Sequence, residues 1–383
     1  MLTVSRQPSL LLLAVVTLGM YGTVHMDEDT GAAMGEIFQS MRYLLPLSVD
    51  DSWRDAQHLQ HVRDALETVA ERASLLGEHG QSDRYVFRFL GYTLASDLRE
   101  VLRRYELAEF ESARFLLLRA TDYCVACHAR LPSPNDSPLS AHFVDGTVLA
   151  RLPLEQRAHL EVATRRFDDA LTSFEALFAA PDVHPSSLLG ALTDYLIISI
   201  RVRQDFDRAL TTLQIFGKRP DLWTALREDV AHWVAALREF RARPFDPPTL
   251  SLAVELIDLA TSYRRYIADR RSLVHYVLAS SVLHRFLESH PQRDGLARTY
   301  YLLGLVEFQI GRDFWVAQGE MFLETAIRLA PDSPIALDAY ALLEQEILLG
   351  YTGSSGLHLP DDERERLERL RALLGARPNT GQF

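Results

Sequence analysis

The chain has 383 residues, 40 Lys+Arg against 52 Asp+Glu, a net charge of −12, 48% hydrophobic residues and 2 cysteines. That length exceeds what one core usually fills, so two domains are expected. The ordinary apolar content excludes a wholly disordered chain and a polytopic membrane protein. The acidic balance, with 13 positive against 20 negative side chains over residues 1–145, argues against nucleic acid or an anionic lipid surface as partner, and two cysteines exclude a disulfide framework.

In chain order, Arg6 precedes an apolar run from Leu10 to Met20, shorter than the about 20 residues of a membrane span. It reads as the hydrophobic region of a secretory signal, and residues 1–26 are expected to be a signal peptide or, because no clean Ala-x-Ala site follows, an N-terminal anchor. Export to the periplasm is therefore expected, free or tethered to the inner membrane. Apolar stripes at helical spacing follow. The first is Ala33, Ile37, Met41, Leu44 and Leu45, ended by Pro46; the second is Leu59, Val62, Leu66, Val69, Ala73 and Leu76. Phe87, Leu90, Leu94, Leu98, Val101 and Leu102 make a third, and Phe110, Ala113, Leu117, Ala120, Cys124 and Cys127 a fourth. Four amphipathic helices over residues 27–131 predict an antiparallel bundle, and the prolines of LPSPNDSPLS mark a linker at 132–149.

Beyond the linker the chain repeats itself. FDDALTSFEALF from Phe167 and FDRALTTLQIF from Phe206 match at an offset of 39, with Ala170 and Ala209 as the small residues that let two helices approach. A later unit carries Leu303-Gly304, Gly319, Ala326 and Pro331, with extra residues around Phe314-Trp315, and LVHYVLASSVLHRFLESHP closes another unit. These residues resemble the tetratricopeptide repeat, which implies a helical-repeat solenoid over residues 150–383 that docks a partner protein. The fold class expected is thus all-α. Asp361-Asp362-Glu363 reads as the acidic first turn of a terminal helix.

Both cysteines fall in Cys124-Val125-Ala126-Cys127-His128. On a helix these positions share a face, so two thiols and an imidazole point the same way, as covalent haem c requires. Zinc, with His58 and His61 as further ligands, and redox thiols are the competing readings; zinc lacks a second cysteine pair, and the motif is not at a helix start. His58 and His61 are otherwise expected to face solvent.

A haem motif near the end of a fourth helix resembles the cytochrome c-prime family and its low-spin relatives. The resemblance implies one haem between helices, with His128 as proximal ligand and a residue of the first helix on the opposite side. Met34, followed by Ile37 and Phe38, is the candidate there, with Met41 as alternative; His25 would ligate only if the N-terminus folds back, and core packing is the competing role for both methionines. Tyr92, Tyr123 and Phe115 are candidates to pack on the haem. With both axial positions filled, the expected function is one-electron transfer to a redox partner carrying a basic patch, not enzymatic turnover. A five-coordinate iron binding nitric oxide or carbon monoxide, or a repeat scaffold with a structural haem, are the alternatives.

Overall fold

The first helix, α1 (Glu28–Val49), runs through Pro46 instead of ending there. Proline forfeits one main-chain bond, but the next turn closes, with Asp50 N–H on the Pro46 carbonyl at 3.0 Å, and the fully buried Leu44 and Leu45 hold the segment down. The computed structural model describes residues 28–76, 84–133, 149–243, 245–266, 269–289, 295–311, 318–354 and 356–375. The expectations placed on the signal segment, on His25, on most of the Pro-rich linker and on Phe314-Trp315 lie outside those residues.

Helices α2 (Leu59–Leu75), α3 (Arg84–Glu106) and α4 (Phe110–Ala120) follow α1. Each packs on its chain neighbour, and α4 returns against α1. Their apolar stripes meet in one core containing Leu44, Leu66, Val69, Leu98, Val101 and Leu117. Trp53 seals one end: it is fully buried, its carbonyl accepts the Tyr105 hydroxyl at 2.6 Å, and the two rings lie 5.2 Å apart.

The expected fourth helix is two helices. At Thr121 the hydroxyl donates to the Leu118 carbonyl at 2.7 Å, alongside the Thr121 N–H, and the chain restarts as α5 (Asp122–His128). A threonine hydroxyl competing for the carbonyls of the preceding turn is a known source of helix bending. Beyond the break, Tyr123, Val125 and Ala126 turn into a second core, and α6 (Leu154–Ala163) packs along α5. Leu90 of α3 also belongs to this second core, while Leu149, Leu152 and Leu160 pack with the first, so the chain crosses between the two cores more than once.

The second core is built by α7 (Phe167–Ala179), α8 (Leu189–Leu196, continued by a π-helical turn Ile197–Arg203), α9 (Phe206–Phe216), α10 (Thr224–Phe240), α11 (Leu250–Tyr263), α12 (Leu273–Ser289), α13 (Leu296–Ile310), α14 (Gln318–Leu329) and α15 (Pro334–Gly350). Most of these helices pack on their chain neighbours. Every side chain of α12 from Leu273 to His284 is buried, so this helix runs through the interior. Gly304 is required where α13 meets α14, because a Cβ there would stand 2.5 Å from the Leu323 side chain. A short antiparallel hairpin, β1 (Thr352–Gly353) and β2 (Gly356–Leu357), is the one departure from an all-α chain among the described residues. The final helix, α16 (Asp361–Gly375), starts on the expected acidic turn and is tied to α14 through Arg366, 2.7 Å from Glu320 and 3.1 Å from Glu324. No helix among the described residues is long and apolar enough to cross a membrane.

Candidate functional site

The short helix α5 carries Cys124, Cys127 and His128, all half-buried, and no disulfide joins the two cysteines. Burial, reinforced by Cys127 and Asp122, pushes the Cys124 thiol up to about 12. At neutral pH it is protonated in the metal-free chain, unlike a redox-active cysteine.

His128 is placed by α6. That helix ends at Ala163, and the carbonyls of its last turn lack partners within the helix. The main chain at Val162 and Ala163 lies against the His128 ring and favours its protonation, while Nδ1 has no hydrogen-bond partner. Burial, and next the charge of Arg165, lower its pKa to about 4, outweighing those carbonyls, so the ring is neutral at pH 7. A neutral imidazole keeping one nitrogen uncommitted is the form that binds a metal. Two thiols for thioether bonds and this imidazole on one helix are a donor set that fits a covalently held haem.

The residues of α1 belong to the first core. Met41 is buried in the first core and Met34 packs at its edge, whereas α5 docks on the second. Phe38 is buried on the same helix, one turn after Met34. Of the three aromatic candidates, Tyr123 is buried and donates to Asp97 at 2.7 Å, but Tyr92 is 54% and Phe115 52% exposed. Tyr92 is instead covered on one side by Arg88, one turn earlier, with its guanidinium 5.9 Å from the ring centre. His61 is exposed, as expected, while His58 lies half-buried within 3.4 Å of the Tyr43 hydroxyl. Neither joins the cysteines: among the described residues one metal-capable group assembles, Asp122, His159 and Asp194, and it contains no cysteine.

That group escaped the sequence reading. His159 is fully buried between three partners: Thr121 Oγ1 at 2.8 Å and Asp122 at 3.5 Å on Nδ1, and Asp194 at 3.0 Å on Nε2. Burial opposes protonation, but the bond to Asp194 and the carboxylates of Asp194, Asp122 and Glu155 outweigh it and raise the pKa. His159 thus joins α5, α6 and α8 through its buried contacts with Thr121, Asp122 and Asp194.

A second network also went unread. Arg201, on the π-helical turn, reaches the Ala129 carbonyl at 3.4 Å, Ser280 at 2.7 Å and Glu307 at 3.1 Å. His284 adds 3.9 Å to Glu307 on one nitrogen and 3.5 Å to Arg130 on the other. Although burial works against it, Arg201, with help from His284 and Ser280, holds the Glu307 carboxyl down at about 2. Arg203 extends the grip by donating to the Ser133 carbonyl at 3.0 Å. The main chain leaving His128 is therefore fixed to α8, α12 and α13.

No protein-family model, curated protein or solved structure matches this chain.

Proposed function

We propose that the chain is an exported monohaem c-type cytochrome that passes single electrons, with its helical array as the surface for a protein partner. The observation that carries this reading is the convergence on α5 of two thiols and one imidazole that burial keeps neutral, from a chain whose only two cysteines lie there. A bound haem supplies a one-electron couple at its iron. The chain's own residues do the rest. Cys124 and Cys127 fix position, the main chain at Val162 and Ala163 lies against the His128 ring, and Arg201 and Arg203 hold the segment that follows. Tyr123, tied to Asp97 of α3, links the site to the first core.

In this reading α1–α4 form a bundle of the cytochrome c-prime kind, with the departure that the motif helix is broken off it at Thr121. The helices from α6 onward form a tetratricopeptide-like array, supported by the paired repeats and by the Gly304 approach. An open groove of about 790 Å³ between α7 and α9, lined by Phe178, Ile215, Phe216, Arg208, Arg219 and the only lysine, Lys218, favours a protein partner on that array. The −12 charge favours a redox partner with a basic docking patch.

The packing of Met34 and Met41 on the first core favours a second reading, in which no methionine reaches the metal and the iron binds a diatomic gas. Absorption spectra of the protein expressed with haem c maturation, oxidised and reduced, with and without carbon monoxide, separate the two. A low-spin reduced spectrum indifferent to carbon monoxide, opened by Met34→Ala or Met41→Ala, supports electron transfer. A high-spin spectrum that shifts with carbon monoxide supports gas binding. No covalent haem overturns both and leaves the repeat scaffold.

A further inference from the structure

Just past the break at Thr121, three metal-ligating side chains from three helices converge: Asp122 of α5, His159 of α6 and Asp194 of α8. They are 7%, 0% and 4% exposed. One nitrogen of His159 and one oxygen of each aspartate all lie within 4.8 Å of one another. None of the three belongs to the cysteine motif.

The hydrogen bonds of Thr121 fix the tautomer of His159. The single hydroxyl proton goes to the Leu118 carbonyl at 2.7 Å. Toward His159 Nδ1, 2.8 Å away, the same oxygen can then only accept, so Nδ1 carries the N–H. Asp122, at 3.5 Å from Nδ1, is the more distant acceptor. Nε2 is left with the lone pair, and it faces Asp194 Oδ2 at 3.0 Å. A lone pair and a carboxylate at that distance repel unless a cation stands between them, either a proton or a metal ion. Histidines that ligate metals share this arrangement, with one ring nitrogen on the ion and the other donating to an oxygen that orients the ring.

The surroundings are made for positive charge. Asp194, Asp122 and Glu155 act on His159 together, and a doubly charged ion feels that field more strongly than a proton does. A proton on Nε2 bonds Asp194 alone, whereas an ion there coordinates both aspartates. The donor set selects the metal. An imidazole suits zinc better than magnesium or calcium, and zinc is content with a few nitrogen and oxygen ligands in a tetrahedral site. Burial of all three side chains works against the several waters that magnesium keeps and the about six to eight oxygens that calcium takes.

We propose that His159, Asp122 and Asp194 bind a zinc ion, with Thr121 as the positioning residue that orients the imidazole. The ion ties the start of the cysteine helix to α6 and α8. The site stands whether or not Cys124 and Cys127 take a haem, because the two sites share α5 but no residue.

The test uses the full chain, expressed with haem c maturation and purified without chelator. Zinc is measured by elemental analysis; the chain is then stripped with EDTA and titrated with zinc while its thermal midpoint is followed. Wild type should hold about one zinc per chain, and its midpoint should rise as zinc is returned. Asp194→Asn keeps the shape and removes a charged ligand, and should weaken zinc binding more than about a hundredfold. Thr121→Val leaves all three ligands in place and should weaken it about ten- to a hundredfold. A wild-type chain that binds no zinc overturns the proposal and assigns Nε2 to a proton. Unweakened binding in Asp194→Asn overturns it as well, and should that variant fail to fold, unweakened binding in Thr121→Val does the same. Cobalt added to the stripped chain made without haem locates the ion: bands of nitrogen and oxygen ligands are expected, and a thiolate-to-cobalt band would move the ion to Cys124 and Cys127 and sink the assignment.

Discussion

The two cores are stabilised by different means. Among the described residues of 28–120, the one buried polar side chain is Ser48, and charges such as Arg72–Glu36 at 2.8 Å stay on the surface. From Thr121 onward the interior takes in Asp122, His159, Asp194, Arg201, His284 and Glu307. Surface pairs contribute about 0–1 kcal/mol, so the first core rests on apolar packing. The second carries buried charges, each of which becomes a large liability when its partner is lost. Those charges gather where α5 docks, which is what a segment needs if it must hold two thiols and an imidazole in fixed orientation.

The sharpest way to break this comparison is Glu307→Ala, which leaves Arg201 buried without its carboxylate. We expect a loss of about 3–5 kcal/mol in urea unfolding. The paired replacement Arg201→Met with Glu307→Leu should recover much of it, because the cost lies in the orphaned charge. A single variant within about 1 kcal/mol of wild type would show that the buried network is not a stability element.

The next effect is acid sensitivity of the haem-free chain. Burial lowers the pKa of His284 and His275 to about 4, from an ordinary value near 6.5. Between those values the unfolded chain binds the protons and the folded chain does not, so stability falls as pH drops from about 6.5 to about 4. Each group accounts for as much as about 3 kcal/mol. Glu307, held at about 2, extends the loss below pH 4.5 as its carboxylate is protonated. Urea midpoints measured from pH 4 to 8 check this, and a flat profile contradicts it.

How much the sequence revealed follows the same division. The stripes of α1 to α4 were legible because apolar packing writes itself into a 3.6-residue period. The break at Thr121 was not, since Ala120 and Cys124 continue the period across it. Its cause includes a partner 38 positions away, His159. Arg201 and Glu307 lie 106 residues apart, and no local spacing announces such a pair. The cysteine motif stands out in the sequence because its residues are chain neighbours, carried together on α5. Met34 and Met41 were correctly placed on one helix, but helical phase does not say which core that helix serves.

Thr121→Val tests the hinge with a smaller effect. Valine keeps the shape and removes the hydroxyl that bonds both the Leu118 carbonyl and His159 Nδ1. Leaving that buried nitrogen short of a partner should cost about 1–3 kcal/mol. If Thr121 instead serves the break alone, the loss should disappear in a His159→Gln background, which a double-mutant cycle on urea midpoints resolves.

The smallest expected effect has the opposite sign. His275 is 4% exposed, and neither ring nitrogen has a partner; it lies among Phe240 and Tyr263, with ring centres 5.4 Å away in each case. A buried polar group without bonds costs free energy that an apolar side chain of similar volume does not. His275→Leu should therefore raise stability at pH 7 by about 1 kcal/mol and remove part of the loss between pH 6.5 and 4. A stabilised variant would mean that the second core tolerates this polar group without needing it, unlike Glu307. A destabilised one would mean that the ring's contacts with Phe240 and Tyr263 outweigh its unmet donors, and that the second core, like the first, is held here by packing alone.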